Sequence, residues 1–229
     1  MKTCIFIPFM MCTFQVSLIA QEVLAPKKPM AWAEEEKLIA KYKSYLKTSS
    51  NDERPPLIPV SAEGQLWFVE TFLKHGEKID EEESRGGNAL SAAILNVQED
   101  TVDLLIKKGA NVNIVYSGEM QGVQPIILAA QAGDEVILSR LIKSGANVNC
   151  VVPDEYHTTP LYTALFHDQL GAAKILIKAG AIFKPYRFSD GSIPPKVVAN
   201  ACALKDEFTN TFKEVDCSAP SAQPRQDRH

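Results

Sequence analysis

The sequence lacks the short motifs that mark the common catalytic and metal-binding sites. It contains no Gly-x-Ser-x-Gly, no glycine-rich phosphate loop, no His-Glu-x-x-His and no Cys-x-x-Cys, so hydrolase, nucleotide, zinc-protease and redox sites of these types are not indicated. It also has no basic patch interleaved with aromatic residues, and the formal net charge of its 229 residues is −4, which argues against nucleic acid as a partner. With 45% hydrophobic and 23% charged residues, the composition is that of a folded soluble protein.

Long hydrophobic runs are also scarce, and the one at the N-terminus is short. It extends from Cys4 to Ala20 behind Lys2 and is interrupted by Pro8, Thr13, Gln15 and Ser17, whereas a membrane-spanning helix needs about 20 mostly apolar residues. A basic start, an apolar stretch and a small residue before polar sequence are typical of a secretory signal peptide. We therefore predict a signal peptide over residues 1–20, cleaved near Ala20, and a periplasmic or extracellular mature chain. An uncleaved anchor is the alternative.

Cysteine is sparse, with five residues in the whole chain. Cleavage would remove Cys4 and Cys12 and leave Cys150, Cys202 and Cys217, an odd number in an oxidising compartment. Cys202 and Cys217 lie close to the C-terminus and could join two terminal helices as a disulfide. The alternative is that all three are small buried apolar residues.

What the sequence does have is an eight-residue phrase that recurs. "IKKGANVN" at Ile106–Asn113 returns as "IKSGANVN" at Ile142–Asn149, and a weaker copy, "IKAGAIFK", follows at Ile177–Lys184. The central glycines are 36 and 35 residues apart. A fixed period in this range is typical of stacked repeats.

The segments before these glycines align as amphipathic helices, and an earlier copy ends at Gly76. In each copy the apolar positions follow i, i+3, i+4 spacing, which is one stripe of an α-helix. A glycine after lysine in the last turn predicts the helix end. Three series of core residues result: Val69, Val102, Leu138, Ala173; Phe72, Leu105, Leu141, Leu176; and Leu73, Ile106, Ile142, Ile177.

A second, shorter helix is predicted upstream of each of these, in "NALSAAI", "QPIILAA" and "TPLYTAL". Asn88 and Thr159 are good N-cap residues, and Pro125 and Pro160 fall at the first helical position. "PPLIPVS" at Pro55–Ser61 is in the same frame, but Pro59 is expected to interrupt the helix and make this copy degenerate.

Thr-Pro-Leu, two short helices and Gly-Ala-Asn-Val-Asn together resemble the ankyrin repeat. The resemblance implies an all-α ankyrin-repeat solenoid of stacked helix-turn-helix units with β-type loop tips, in which neighbouring repeats bury one another. The histidine usual after Thr-Pro-Leu is replaced by Ser91, Ile127 and Tyr162, so its hydrogen bond to the threonine is expected to be missing and the array to be somewhat less stable.

The predicted organisation follows from this frame. Residues 21–53 hold an N-terminal helix and a linker, the helix at Ala31–Lys47 being either a cap or a mobile arm. The repeat domain covers 54–215, divided into a degenerate copy at 54–85, repeats at 86–121, 122–156 and 157–190, and a C-terminal pair of capping helices at 191–215. Residues 216–229 are predicted to be a disordered tail.

The resemblance further implies that a partner contacts the loop tips and the exposed ends of the first helices, which line a concave face. Aromatic residues and methionine are enriched at interface centres, although some could instead cover the adjacent repeat. The predicted partner-binding residues are Tyr116, Glu119, Met120, Val152, Asp154, Tyr156, Tyr186, Phe188, Leu95, Gln131, Phe166 and His167. Acidic Glu119, Asp154 and Glu155 suggest a partner with basic character.

A different class of function would use the histidines. His157 and His167 flank one short predicted helix, with Asp154 and Asp168 nearby, and could form a metal or acid–base pair. We favour surface polar residues of a repeat, and we expect Glu81–Ser84 to be a solvated loop rather than a cation site. No metal or cofactor is predicted.

Taken together, these features predict a non-catalytic, monomeric, exported protein that binds another protein and neither nucleic acid nor, after cleavage, a membrane. One version is an inhibitor or immunity-type protein. The alternatives are a secreted scaffold or host-directed factor and, in another class, a metal-binding protein or enzyme built on His157 and His167.

Overall fold

The computed structural model describes residues 31–50, 54–154, 157–188 and 191–217. Within them the chain forms ten α-helices, one short 3-10 helix and no β-strand, which confirms the all-α prediction. No helix in this described part is long and apolar enough to cross a bilayer. The predicted signal peptide, Tyr156 and most of the predicted tail lie outside the described residues.

After the first helix, the helices alternate between two layers. Their bounds, in chain order, are α1 Trp32–Ser50, α2 Leu57–Ala62, α3 Leu66–Lys74, α4 Ala89–Leu95, α5 Glu99–Lys107, α6 Pro125–Ala132, α7 Glu135–Lys143, α8 Pro160–Phe166, α9 Leu170–Lys178 and α10 Pro195–Leu204. The inner helices α2, α4, α6, α8 and α10 each contact the next inner helix, and the outer helices α3, α5, α7 and α9 do the same. The stack therefore grows by one helix pair at a time.

The core of the stack lies between the two layers, in agreement with the prediction from the sequence. Two of the predicted series are completely buried: Val69, Val102, Leu138, Ala173 and Phe72, Leu105, Leu141, Leu176. The third series, which begins at Leu73, is only partly buried and packs at the edge of the core. In each outer helix, the residues at i and i+3 thus face the inner layer, and the residue at i+4 lies at the edge of the core.

Local caps fix where the inner helices begin. Pro125 and Pro160 occupy the first helical position, and Thr159 Oγ1 accepts the Tyr162 N–H at 3.2 Å. Asn88 caps α4, and Ser91, which replaces the usual histidine, makes a bond of its own, because Ser91 Oγ accepts the Asn88 N–H at 2.8 Å. This reciprocal pair is a capping box, and it satisfies two N–H groups at the helix start.

Pro59 does not interrupt the first inner helix. Helix α2 begins at Leu57, so Pro59 is its third residue and lies in the first turn. The N–H groups of the first turn make no hydrogen bond inside the helix, so a proline, which has no N–H group, removes no hydrogen bond there. The first repeat is therefore shorter than the others but keeps its inner helix.

Side-chain bonds join successive turns after the outer helices, where Gly109 and Gly145 adopt φ values of 95° and 88°. Asn113 Oδ1 accepts the Asn147 N–H at 2.8 Å, and Asn113 Nδ2 donates to the Gly145 carbonyl at 2.9 Å. Asn149 repeats both bonds toward Ile182 and Gly180, and Asp80 accepts the Asn111 N–H at 3.1 Å. We call Asp80, Asn113 and Asn149 the acceptor series; it sets the register between neighbouring tips.

The N-terminal helix α1 docks on the first repeat, which settles whether it is a cap or an arm. Tyr42 is buried with its ring 5.4 Å from Phe68 and 5.6 Å from Phe72. The Glu35 carboxylate lies 2.7 Å from Lys74 Nζ and 3.0 Å from His75 Nε2. These hydrogen bonds, from Lys74 first and His75 second, lower the pKa of Glu35. Helix α1 therefore closes the N-terminal end of the core.

The C-terminal end is closed by α10 and by a turn-rich segment rather than by the predicted second helix. Residues 205–215 form successive turns, yet Phe212 and Val215 are buried, and the Phe212 ring meets Phe183 edge-on at 5.0 Å. A disulfide joins Cys202 to Cys217 across a separation of 15 residues. The segment therefore packs as a strap, by which we mean residues 205–217.

Val97 is in a strained backbone conformation, and this gives a testable prediction. Its φ is 55°, a region that a β-branched residue rarely adopts, while Gly64 and Gly133 occupy the equivalent turns at 72° and 76°. The side chain is also exposed, so little packing offsets the strain. We expect Val97→Gly to raise the free energy of unfolding by about 1 kcal/mol.

The measurement is urea denaturation followed by circular dichroism. Val136→Gly is the matched control, because Val136 is an exposed valine inside α7, where glycine should destabilise by about 1 kcal/mol. If both glycine substitutions lower stability, the strain at Val97 is not relieved by glycine and the prediction is wrong.

Candidate protein-binding surface

The predicted tips are Ile114–Gln121, Val151–His157 and Tyr186–Asp190, and in the first two an outward-facing side chain is followed by an inward-facing one. In the first tip Val115 is 55% exposed and Tyr116 is 1% exposed; in the second, Val151 is 46% exposed and Val152 is 6% exposed. In extended backbone, successive side chains point to opposite faces. Tyr116 and Val152, two of the predicted partner-binding residues, are therefore core residues, and their preceding valines face solvent.

Tyr116 and Met120 fold back towards the start of α4, within the same predicted repeat. The Tyr116 hydroxyl donates to Asn88 Oδ1 at 3.1 Å, so it also braces the cap of α4. Burial raises the pKa of this phenol far above its usual value. Met120 is likewise buried against the core. The expectation that these side chains meet a partner is corrected: they hold the first tip in place.

The acidic loop before α4 also takes part in fixing this tip. Glu82 accepts hydrogen bonds from Ser117 N at 2.9 Å and Ser117 Oγ at 2.6 Å. Glu83 is buried, with its carboxylate 3.6 Å from Arg54 Nε. The prediction of a merely solvated loop is therefore wrong, because two of its carboxylates bind described partners of this chain.

A stripe of apolar side chains remains on the outside of the tips. Val115, Val151 and Tyr186 occupy equivalent positions, 36 and 35 residues apart, and Tyr186 is half-buried. Phe188 is exposed and meets the Tyr186 ring edge-on at 5.6 Å. We call Val115, Val151, Tyr186 and Phe188 the tip stripe. Three consecutive repeats thus present apolar surface in one register.

The predicted inner-helix residues line the adjoining ends of α4, α6 and α8. Leu95, Gln131, Phe166 and His167 are all half-buried. The Phe166 ring stacks on Tyr162 at 5.9 Å, and Lys196 Nζ lies 5.8 Å from its centre. These residues lie at the C-terminal ends of the inner helices, and Phe166 is the aromatic member of the set.

The predicted acidic residues differ in what they can offer a partner. Glu119 is exposed on the first tip. Asp154 is occupied within its own tip, where its carboxylate accepts the Thr158 N–H at 3.1 Å and the Thr158 hydroxyl at 2.8 Å. Glu155 lies outside the described residues. Asp154 is therefore better described as a turn-forming residue than as a contact for a basic partner.

The second and third tips enclose a groove of about 570 Å³. Its apolar lining comes from Val151, Pro185 and Tyr186, and its basic lining comes from His157, Lys184 and Arg187. Sequence reasoning missed the basic members. The signal that could have found them is Lys184, which stands where Asn113 and Asn149 stand in the earlier copies.

The histidine alternative gains no support from the geometry. Asp168 lies 2.6 Å from Lys196 Nζ and accepts from Asn200 at 2.8 Å, and these bonds, Lys196 first, lower its pKa. Burial, together with the charge of Lys196, lowers the pKa of His167, whose ring packs edge-on against Phe166. No group of three or more potential ligands that could hold a metal occurs among the described residues.

Comparison with known families identifies the repeat. Residues 115–185 match the family model of ankyrin repeats (3 copies). No curated protein matches the chain. Ankyrin repeats are protein–protein interaction modules, and the matched segment runs from the first tip through α6, α7, α8 and α9. Residues 115–185 therefore carry ankyrin repeats, and the two-layered stack of helix pairs is an all-α repeat solenoid.

Proposed function

We propose that this protein is an exported, non-catalytic module that binds one partner protein through the tip stripe and the adjoining ends of the inner helices. The observation that carries the proposal is the tip stripe itself. Loop tips exposed to water are ordinarily polar, yet the first two tips here each expose a valine at the same position, and the third has the half-buried Tyr186 there with Phe188 exposed beside it. Aligned apolar and aromatic side chains on a rigid scaffold are what interface centres contain.

Export is supported by two features of different kinds. The N-terminal sequence has the layout of a signal peptide, and a disulfide joins Cys202 to Cys217. Disulfides persist mainly in oxidising compartments. We propose a periplasmic or extracellular monomer that acts as an inhibitor or immunity-type protein; a secreted scaffold or host-directed factor is the second version of the same binding role.

The test is an affinity capture from the native exported fraction, followed by titration with the purified partner. Val151→Asp places a charge in the middle of the tip stripe, and we expect it to weaken partner binding at least about tenfold. Val136→Asp is the matched control, because Val136 is 44% exposed on α7, away from the tips.

Loss of binding in Val151→Asp with retention in Val136→Asp supports the tip stripe. Equal affinity of both variants for the partner would refute it and would direct attention to the outer helices. Circular dichroism of each variant establishes that the stack remains folded.

A further inference from the structure

The groove between the second and third tips differs chemically from the rest of the array. Its basic residues, His157, Lys184 and Arg187, lie on a chain whose net charge is −4. The groove is also the place where the repeat pattern changes. Two cations, Lys184 and Arg187, lining one groove of an acidic protein are a feature that the fold alone does not require.

Lys184 marks the change of pattern most clearly. Four residues after the glycine, Asp80, Asn113 and Asn149 each supply an oxygen that accepts an N–H from the next repeat. The third full copy has Lys184 at that position, and an ammonium group cannot accept a hydrogen bond. The acceptor series therefore ends here, and its last position contributes a cation to the groove instead.

The charges of the groove are not neutralised by the described carboxylates. No carboxylate within residues 54–154, 157–188 and 191–217 lies within 4.0 Å of Lys184 or Arg187. Arg187 Nη1 donates to the Gly191 carbonyl at 3.0 Å, which positions the guanidinium and leaves most of its five N–H donors for another acceptor. Asp154, the described acid of the second tip, is bound to Thr158.

The apolar side of the groove limits what can enter beside an anion. Val151 and Tyr186 belong to the tip stripe, and Pro185 lies between Lys184 and Tyr186. A free inorganic anion would satisfy the cations but would leave this apolar lining uncovered. A peptide segment with an acidic side chain next to an apolar one would cover both.

We infer that this groove binds a carboxylate side chain of the partner protein, flanked by an apolar residue that packs on Val151 and Tyr186. The inference rests on the proposed function, because it names the chemistry of the partner at one end of the tip stripe. It also replaces the sequence-based suggestion of a basic partner, at least for this end of the surface.

The test is a titration of the isotope-labelled chain with acetyl-Ala-Leu-Glu-Leu-Ala-amide, followed by backbone amide shifts in NMR spectra. The matched peptide carries Gln in place of Glu. We expect the Glu peptide to shift Val151, His157 and Lys184–Arg187 and to bind about tenfold more tightly than the Gln peptide. The preference should shrink as salt is raised from about 50 to about 300 mM.

Two double variants distinguish the effect of the groove's own charges from the effect of the protein's overall charge. Lys184→Gln with Arg187→Gln should abolish the preference for Glu. Lys107→Gln with Lys143→Gln removes the same charge from exposed ends of α5 and α7 and should leave the preference unchanged. Equal binding of the two peptides, shifts elsewhere on the stack, or equal losses in both double variants would each overturn the inference.

The outcomes also separate this inference from the proposed function. If Val151→Asp abolishes partner binding but the groove shows no preference for Glu, the tip stripe stands and the carboxylate is wrong. If the groove prefers Glu and the tip variant binds the partner normally, the groove is a real acidic-peptide site and the proposed interface is wrong.

Discussion

Replacing Leu141 with alanine is expected to lower the free energy of unfolding by about 3 to 4 kcal/mol. Leu141 is 0% exposed, and it lies in the second core series between Leu105 and Leu176. Removing a buried leucine side chain loses its transfer free energy and leaves a cavity, for a typical cost of about 2 to 5 kcal/mol. Because Leu141 belongs to the middle of the stack, both of its neighbouring repeats lose a contact.

The effect on cooperativity should be as informative as the effect on stability. In a linear stack, each repeat is stabilised mainly by its neighbours. Weakening the α7 repeat should therefore divide the unfolding transition into two steps, which can be measured by urea denaturation with circular dichroism and with intrinsic fluorescence as separate probes.

Leu66→Ala provides the control for this substitution. Leu66 also lies on an outer helix, but it is 38% exposed at the start of α3. Its replacement with alanine should therefore lower the free energy of unfolding by less than about 1 kcal/mol. If Leu141→Ala and Leu66→Ala differ by less than about 1 kcal/mol, Leu141 does not have the central role assigned to it.

The second large effect is expected at the C-terminal strap. Replacing Cys202 and Cys217 together with serine should lower stability by about 3 kcal/mol, because a cross-link over roughly 15 residues restricts the unfolded chain by about that amount. The strap carries Phe212 and Val215 into the core, so its release should expose α9 and α10 to water before the rest of the stack unfolds.

Thermal unfolding with and without reductant measures this contribution, and hydrogen exchange locates it. Reductant should lower the midpoint of the wild-type chain but leave the double serine variant unchanged. The remaining described cysteine does not complicate the comparison, since Cys150 is buried and burial raises the pKa of its thiol to about 11. An unchanged midpoint in the double serine variant under oxidising conditions would show that the strap is held by packing alone.

The helical stack could be predicted because its signals are periodic. The positions of Val102 and Leu105 are fixed by helical spacing and by the glycine that follows, and Asn88 and Thr159 mark helix starts through their own side-chain chemistry. The prediction for Pro59 is wrong because a proline disrupts the interior of a helix but is tolerated in its first turn. Where the helix begins depends on packing that the local sequence does not specify.

The tip surface could be predicted only to within one residue. A tip has too few residues to show a period, so the choice between Val115 and Tyr116, or between Val151 and Val152, depends on which side chain packs inward against the core. Tyr116 goes inward because Asn88 offers its hydroxyl a partner at 3.1 Å, a contact between residues 28 positions apart. The basic groove was missed for a similar reason, because its lining comes from two different tips.

The acceptor series gives the array a direction. Asn113 binds the Gly145 carbonyl and the Asn147 N–H, and Asn149 binds the equivalent groups of the following turn. The first two full repeats therefore each have an asparagine on one edge, and the repeat that follows offers it a matching backbone. A duplicated copy of residues 122–156 could be inserted in the middle with both of its edges satisfied. Gene duplication can thus lengthen this protein by whole repeats while the tips at its two ends, and whatever they recognise, stay unchanged.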